Sequence, residues 1–357
     1  MPTCCHIDRF GGLPVVEFPA YDTVDHDYQR MVRAGTAIPD PYPPHAALAA
    51  AVEDPGSVAW RLRRPEPSDY RGGRFVMHDP LEDRAGYLAR FGEEVDLAAV
   101  RALVVGYLAE RHRFEGAKVL PELMELVPRL PNLRSLFFAE VVREESEISW
   151  IHNTDVAPLL DALPSLTEFT VRGSSGLGLD IGRHDRLRRL TVQCGGLPGR
   201  VARDIAAADL PTLEHLELWL GDEEYGNDTV PADLAAVLSG EAFPALRSLG
   251  LRNAEDTDAW VRAVSDAPVV ERLHTLDLSL GCLTDEGAET LLASPALRGL
   301  GRLDLHHHYL SEDMAERVRA EFTAAGVEVD VSVPQEPDED EDEDGAVVLY
   351  RYSAVSE

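Results

Sequence analysis

Asp277, Asp304 and His306 are the residues whose types and spacing come nearest to chemistry in this chain. Imidazole with carboxylates is a donor set for zinc or a similar ion. Such a group would serve a metal- or small-ligand-dependent accessory enzyme. The run His306–His307–His308 adds little to it, because successive side chains on a strand point to opposite faces and cannot converge on one ion. The bland alternative puts His306 on the surface, His307 on a rim and His308 in a turn. A wider set, Glu217, Trp219, Arg252, Asp277, Asp304 and His306, has the composition of a recognition patch. Tryptophan and arginine are enriched at binding hot spots. Each reading requires a fold that brings these residues together.

The elements that position them repeat. Eight segments share one pattern: an apolar residue, two variable residues, an apolar, one variable, an apolar. They begin at Val100, Leu133, Leu166, Leu187, Leu213, Leu246, Leu273 and Leu300, at intervals of 21 to 33 residues. This is the signature of a leucine-rich repeat. Each unit gives a strand, a loop, usually a helix, then the next strand. The expected fold is an α/β leucine-rich repeat solenoid, a horseshoe with a parallel concave sheet and a mostly helical convex side, capped at both ends. Positions one, four and six point inward, and the others face the concave side or its rims. Parallel strands lie about 4.8 Å apart, so equivalent positions form columns. The fifth-position column ends Glu217, Gly250, Asp277, Asp304, and the seventh ends Trp219, Arg252, Ser279, His306. Neighbouring acids raise each other's pKa unless a cation intervenes, and Arg252 and Arg302 are near enough to do so.

Residues 1–95 do not repeat and read as an N-terminal cap, with strands at Leu13–Phe18 and Ser57–Arg63, a helix over Leu81–Val95, and the proline-rich stretch IPDPYPPH (38–45) between the strands. The array occupies 96–332. Thr284 and Ser311 are the expected N-caps of its last two helices. GSSGLGLDIGRHD (173–185) is too short and glycine-rich for a helix and implies irregular backbone. The acidic run 333–345 reads as a disordered linker, and 346–357, rich in β-branched and aromatic residues, as a strand that docks back on the array. An adaptor acting through that acidic run is a third functional possibility. Two insertions, 141–155 and 221–230, carry aromatic residues; Trp150 between Ile148 and Ile151 reads as packing. Cys4, Cys5 and His6 sit on a terminus expected to be mobile.

Composition narrows the partners. The net charge is −31, from 64 acids against 33 bases, and the acidic run supplies only eight of those acids. No basic stripe is present to neutralise phosphates, which argues against nucleic acid, and the same balance disfavours anionic membranes. Four scattered cysteines form no disulfide or zinc framework. No secretory signal opens the chain and no run is long enough to span a bilayer, so a cytoplasmic setting with reduced thiols is expected. No P-loop, dinucleotide fingerprint, HExxH or GxSxG element is present, and no enzyme activity and no cofactor are expected.

LDLSLGCLTDEGAETLL (276–292) resembles the unit of the ribonuclease-inhibitor type of leucine-rich repeat protein. More narrowly, the chain is similar to a group of bacterial leucine-rich-repeat proteins, through GLPVVEFP, ISWI, LELWLG, LGLRNAE, LDLHHHYLS and the closing YRYSAV. That resemblance implies a non-enzymatic companion encoded near radical-chemistry enzymes, and so a protein partner, such as an enzyme encoded nearby. One departure stands out. The family places Asn or Cys at position nine, whereas here that position holds Leu108, Val141, Ser174, Gly195, Gly221, Ala254, Gly281 and His308. Other groups or water must therefore satisfy those turns. The expected function is protein–protein recognition through the C-terminal half of the concave face, by rigid display of the six residues of the patch.

Overall fold

A computed structural model of the chain describes residues 5–20, 35, 43–64, 68–71, 74–77, 82–108, 114–341 and 347–355; most of the proline-rich stretch lies outside these. The chain divides into two compact units, Cys4–Leu177 and, for its main part, Gly178–Glu357. The division falls within the glycine-rich stretch 173–185, which holds no helix or strand, as its composition predicts. The repeat array expected over 96–332 is thus split between two bodies.

In the first unit, β1 (Arg9–Phe10) turns into β2 (Leu13–Phe18), which lies parallel to β3 (Ala59–Arg64). A small hairpin, β4 (Ser68–Arg71) and β5 (Arg74–Met77), follows. β3 then pairs in parallel with β6 (Ala102–Leu108), β6 with β7 (Ser135–Glu140), and β7 with β8 (Glu168–Arg172). Helices Pro43–Glu53, Arg84–Glu94, Gly116–Leu126 and Ala157–Ala162, named α1 to α4, lie in the crossovers. Strands β2 and β3 therefore continue the sheet in register, Val15 beside Ala59 beside Ala102. The leucine pattern hides this, because the inward residues there are Phe18, Trp60 and Leu62.

The second unit repeats the scheme. Strands β9 (Arg189–Gln193), β10 (His215–Gly221), β11 (Ser248–Ala254), β12 (Thr275–Asp277), β13 (Arg302–Asp304) and β14 (Glu328–Asp330) pair in parallel in that order. Leu190, Leu216, Leu249, Leu276, Leu303 and Val329 are successive lateral neighbours, and all but Val329 have no exposed surface. Each buried leucine contributes about 1.5–3 kcal/mol of transfer free energy, which fixes the register. Helices α5 (Gly199–Ala207), α6 (Ala235–Leu238), α7 (Thr257–Ser265), α8 (Asp285–Ala293) and α9 (Glu312–Ala324) fill the crossovers. The caps are as the sequence predicts: Thr284 accepts from the Glu286 N–H and Ser311 from the Met314 N–H. The repeated strand-and-crossover unit fits a solenoid. Among the described residues no helix is long and apolar enough to cross a membrane.

Two expectations are corrected. Position eight does not face the sheet's polar side or its rims in every unit. Gly173, Asn253, Leu280 and His307 there take positive φ values (58° to 86°), and the chain turns inward, burying Asn253 and Leu280. The acidic run is in part a strand: β15 (Asp338–Glu341) pairs antiparallel with β16 (Val347–Tyr350).

Candidate recognition face

Positions five and seven of the second unit form one polar face. Its acids have a local cause. Asp277, Asp304 and Asp330 each end a three-residue strand, and each Oδ1 accepts the N–H two residues on, from Ser279 (3.0 Å), His306 (3.2 Å) and Ser332 (2.9 Å). An aspartate that captures this N–H takes it from the ladder and stops the strand. The register then sets the three carboxylates side by side, Asp277 beside Asp304 beside Asp330.

Arginines interleave with the acids. Arg252 reaches Glu217 at 3.1 Å and Asp277 at 3.2 Å, and donates to the Ser279 hydroxyl at 3.0 Å. Trp219 donates its indole N–H to Glu217 (2.8 Å), with the Arg252 guanidinium 5.7 Å from its ring centroid. Burial pushes Glu217 up, but His215, Arg252 and Trp219 outweigh it and hold the carboxyl down to about 2. Asp277 is raised, by burial first and by Asp304, with Arg252 opposing. Asp304 accepts from Arg302 (2.9 Å) and meets His306 Nδ1 at 2.7 Å. Burial opposes its ionisation, yet the His306 and Arg302 bonds keep it well below the usual carboxylate range. His306 is raised through its bond to Asp304. The cations do intervene, as Arg252 and Arg302 suggest from sequence.

The six predicted residues therefore belong to one face, but not all are available. Trp219 is 2% exposed, sealed beneath Arg252, so it is no free anchor. The third donor beside Asp304 and His306 is Asp330 and not Asp277. Donor atoms of Asp304, His306 and Asp330 lie within 4.8 Å of one another, whereas Asp277 is taken by Arg252 and Ser279. Asp330 escaped the leucine pattern because its unit, GVEVDVSV (326–333), uses valines; the alternation and the fifth-position aspartate were the available signal. His308 does fill a turn. It is fully buried, its Nε2 lies 3.1 Å from the Val331 carbonyl, and its Nδ1 accepts from Leu310 N–H. Asn153 serves similarly in the first unit, donating to the Arg172 and Gly173 carbonyls. Trp150 is 57% exposed while Ile148 and Ile151 are buried, so the packing reading fails for the tryptophan and holds for its neighbours.

The first unit closes its own polar face. Ile7, Phe10, Leu13 and Val15 pack over Ala59, Ala102, Val104 and Phe137, the Phe10 and Phe137 centroids 5.8 Å apart. A buried charge network latches this cover. Ala139 has φ of 65° at a bulge that sets Glu140 opposite Gly106, and so turns Glu140 onto the side of Arg61. Glu140, without exposed surface, meets His6 Nδ1 (2.9 Å) and Arg61 Nε (3.1 Å) and accepts from the Ile7 N–H (3.0 Å). Glu145 pairs with Arg63 and lies 3.5 Å from His6 Nε2. The expected mobile terminus is corrected: His6 is held, while Cys4 lies outside the described residues. The sequence offered no signal for this pairing, since the partners are more than 130 residues apart.

Burial would lower the His6 pKa, but its two carboxylate partners raise it from 6.5 to about 9. A raised cation stabilises the fold fully below its unfolded pKa and loses that contribution as pH rises through the folded value. The melting temperature should therefore fall between pH 7 and about 9.5, and His6→Gln should flatten that fall. An unchanged slope in the variant would remove His6 as the cause.

The described residues define an α/β protein of repeated strand-and-crossover units with one mixed-charge face on its second unit. The chain is similar to a protein of Bacteroides fragilis whose crystal structure was determined as a structural-genomics target, with a TM-score of 0.66 and 29% identity over 70% of each chain. Neither a protein-family model nor a curated protein matches the chain.

Proposed function

We propose that this is a non-enzymatic, cytoplasmic leucine-rich repeat protein of the ribonuclease-inhibitor type that recognises a protein partner through the polar face of its second unit. The observation that carries the reading is the lateral row Asp277–Asp304–Asp330, fixed by strand register beside Arg252 and Arg302. Asp277 and Asp304 have their arginines, whereas Asp330 has no ion-pair partner among the described residues. A rigid row ending in an open carboxylate suits a basic segment of a partner, and the net charge of −31 would steer it. Glu217 and Trp219 serve here as the buttress of Arg252, and His306 as that of Asp304. An enzyme encoded nearby is the partner we would seek first.

The test is a pull-down from the native host. Asn keeps the turn hydrogen bond of Asp330 and removes its charge. Asp330→Asn should lower recovery of a specific partner several-fold, with on the order of tenfold weaker binding in low salt. Equal recovery by both proteins would end the proposal for this face. A second reading has one observation behind it: the clustered donors of Asp304, His306 and Asp330 suit a divalent metal, and with it an accessory enzyme. Metal analysis of the purified protein separates the two, since that reading requires near-stoichiometric metal that His306→Ala abolishes.

A further inference from the structure

The chain's last described residues are bound as a ligand would be. Asn253, fully buried and left-handed (φ 58°), turns its carboxamide to one residue: Oδ1 accepts from the Val355 N–H at 2.9 Å and Nδ2 donates to the Val355 carbonyl. The Ala354 N–H donates to the Leu280 carbonyl at 2.8 Å. The Tyr309 hydroxyl accepts from the Tyr352 N–H (2.8 Å) and donates to its carbonyl (3.0 Å). All five bonds are to the tail's main chain. Its side chains are sorted by burial: Ser353 and Val355 inward, Tyr352 half outward. The Ser353 hydroxyl is buried with no hydrogen-bond partner among the described residues, so the position asks for a small side chain and not for a hydroxyl. Just before it, Arg351 lines a cleft shared with Asp285, Glu286, Glu312 and Glu316.

We propose that Asn253, Leu280 and Tyr309 form a peptide-recognition groove that residues 351–355 fill in cis, and that a segment of a partner protein competes for it. The chemistry of the walls defines that segment: a basic residue, any residue, a small one, any residue, then a β-branched one. Side-chain carboxamides and hydroxyls that pair with main chain are indifferent to whether the peptide is covalently joined. Tethering gives the tail an effective concentration on the order of millimolar, so an outside segment binds weakly until the tail is released. This groove lies at the strand ends and does not depend on the acidic row.

The probe is a fluorescein-labelled peptide of residues 350–357, read by anisotropy. Full-length wild type should bind it at least tenfold more weakly than full-length Val355→Asp, whose buried charge expels the tail. A chain ended after Tyr350 should behave like Val355→Asp. Adding Asn253→Asp, which removes the Nδ2 donor, should abolish binding, and an Arg351→Glu peptide should bind about tenfold less well, as loss of a charge-complementary contact implies. A Ser353→Ala peptide should bind at least as tightly. The proposal falls if a folded, tail-released chain takes no peptide at millimolar concentration, or if neither released chain folds, since the tail is then an obligatory part of the core. Concentration-dependent dimers exchanging tails would assign the groove to self-association and overturn the partner.

Discussion

Glu140→Gln should cost about 3–5 kcal/mol of unfolding free energy, the range for removing one member of a buried charge pair. Glutamine has the same shape and still accepts from the Ile7 N–H. What it lacks is the charge that faces Arg61 and His6, in a place where Arg61 is 8% exposed and Glu140 has no exposed surface. Water cannot replace the lost carboxylate without opening the cover formed by Ile7 to Val15. The loss should therefore be local before it is global. Amide exchange over residues 6–15 should rise by orders of magnitude while the leucine-lined strands of the same unit stay protected. A double-mutant cycle with His6→Gln should recover part of the penalty, because the imidazolium left without its counter-ion is then gone as well. A loss under about 1 kcal/mol, with unchanged exchange over 6–15, would show that apolar packing alone holds the cover.

That network marks the boundary of what sequence can carry. Periodic leucines announce the strands, and the caps announce the helices, because both are local patterns with one physical meaning. Lateral contacts such as Asp277 beside Asp304 follow from the period, since a repeat turns a distance in sequence into a place in a column. Contacts that do not repeat leave no such trace. His6 and Glu140 meet only because a left-handed Ala139 and a bulge rotate one side chain to the other face, and neither is written in SLFFAE. Strands β2 and β3 were visible as strands, but their register was not, because aromatic residues replace the leucines that would have aligned them.

The face itself was half legible. Its membership followed from the columns, and the arginine neutralisation followed from charge. Its availability did not, since the cover over Trp219 depends on the rotamer of Arg252. The acids had a second meaning as well. An aspartate at position five reads from sequence as a binding group, and in the structure it is first the residue that stops the strand. The two roles are compatible, because the turn uses Oδ1 and leaves Oδ2 to face outward. For Asp277 and Asp304 that oxygen meets arginine, which makes Arg252 the pivot between the buried and the open parts of the face.

Replacing Arg252 by methionine isolates that role, since the aliphatic stem is kept and the guanidinium is lost. Glu217 and Asp277 would then lose the cation at 3.1 and 3.2 Å, and Trp219 its cover. Unfolding at pH 7 should cost about 2–3 kcal/mol less than in wild type, the low end for a pair that keeps some solvent. The pH dependence gives the cause. In wild type the Glu217 pKa is depressed from 4.5 to about 2, so its contribution is present above pH 4.5 and is lost as pH falls toward 2. Without Arg252 that depression shrinks and Asp277, already raised by burial, rises further. Asp277 then protonates in mild acid and its orphaned charge disappears, while His215 and Trp219 still hold Glu217 down. The gap between variant and wild type should therefore narrow between pH 7 and pH 4, and the tryptophan emission of the variant should shift to the red. A gap of equal size at both pH values would mean that Arg252 acts through its bulk, and the acidic row would have to be stable without a cation beside it.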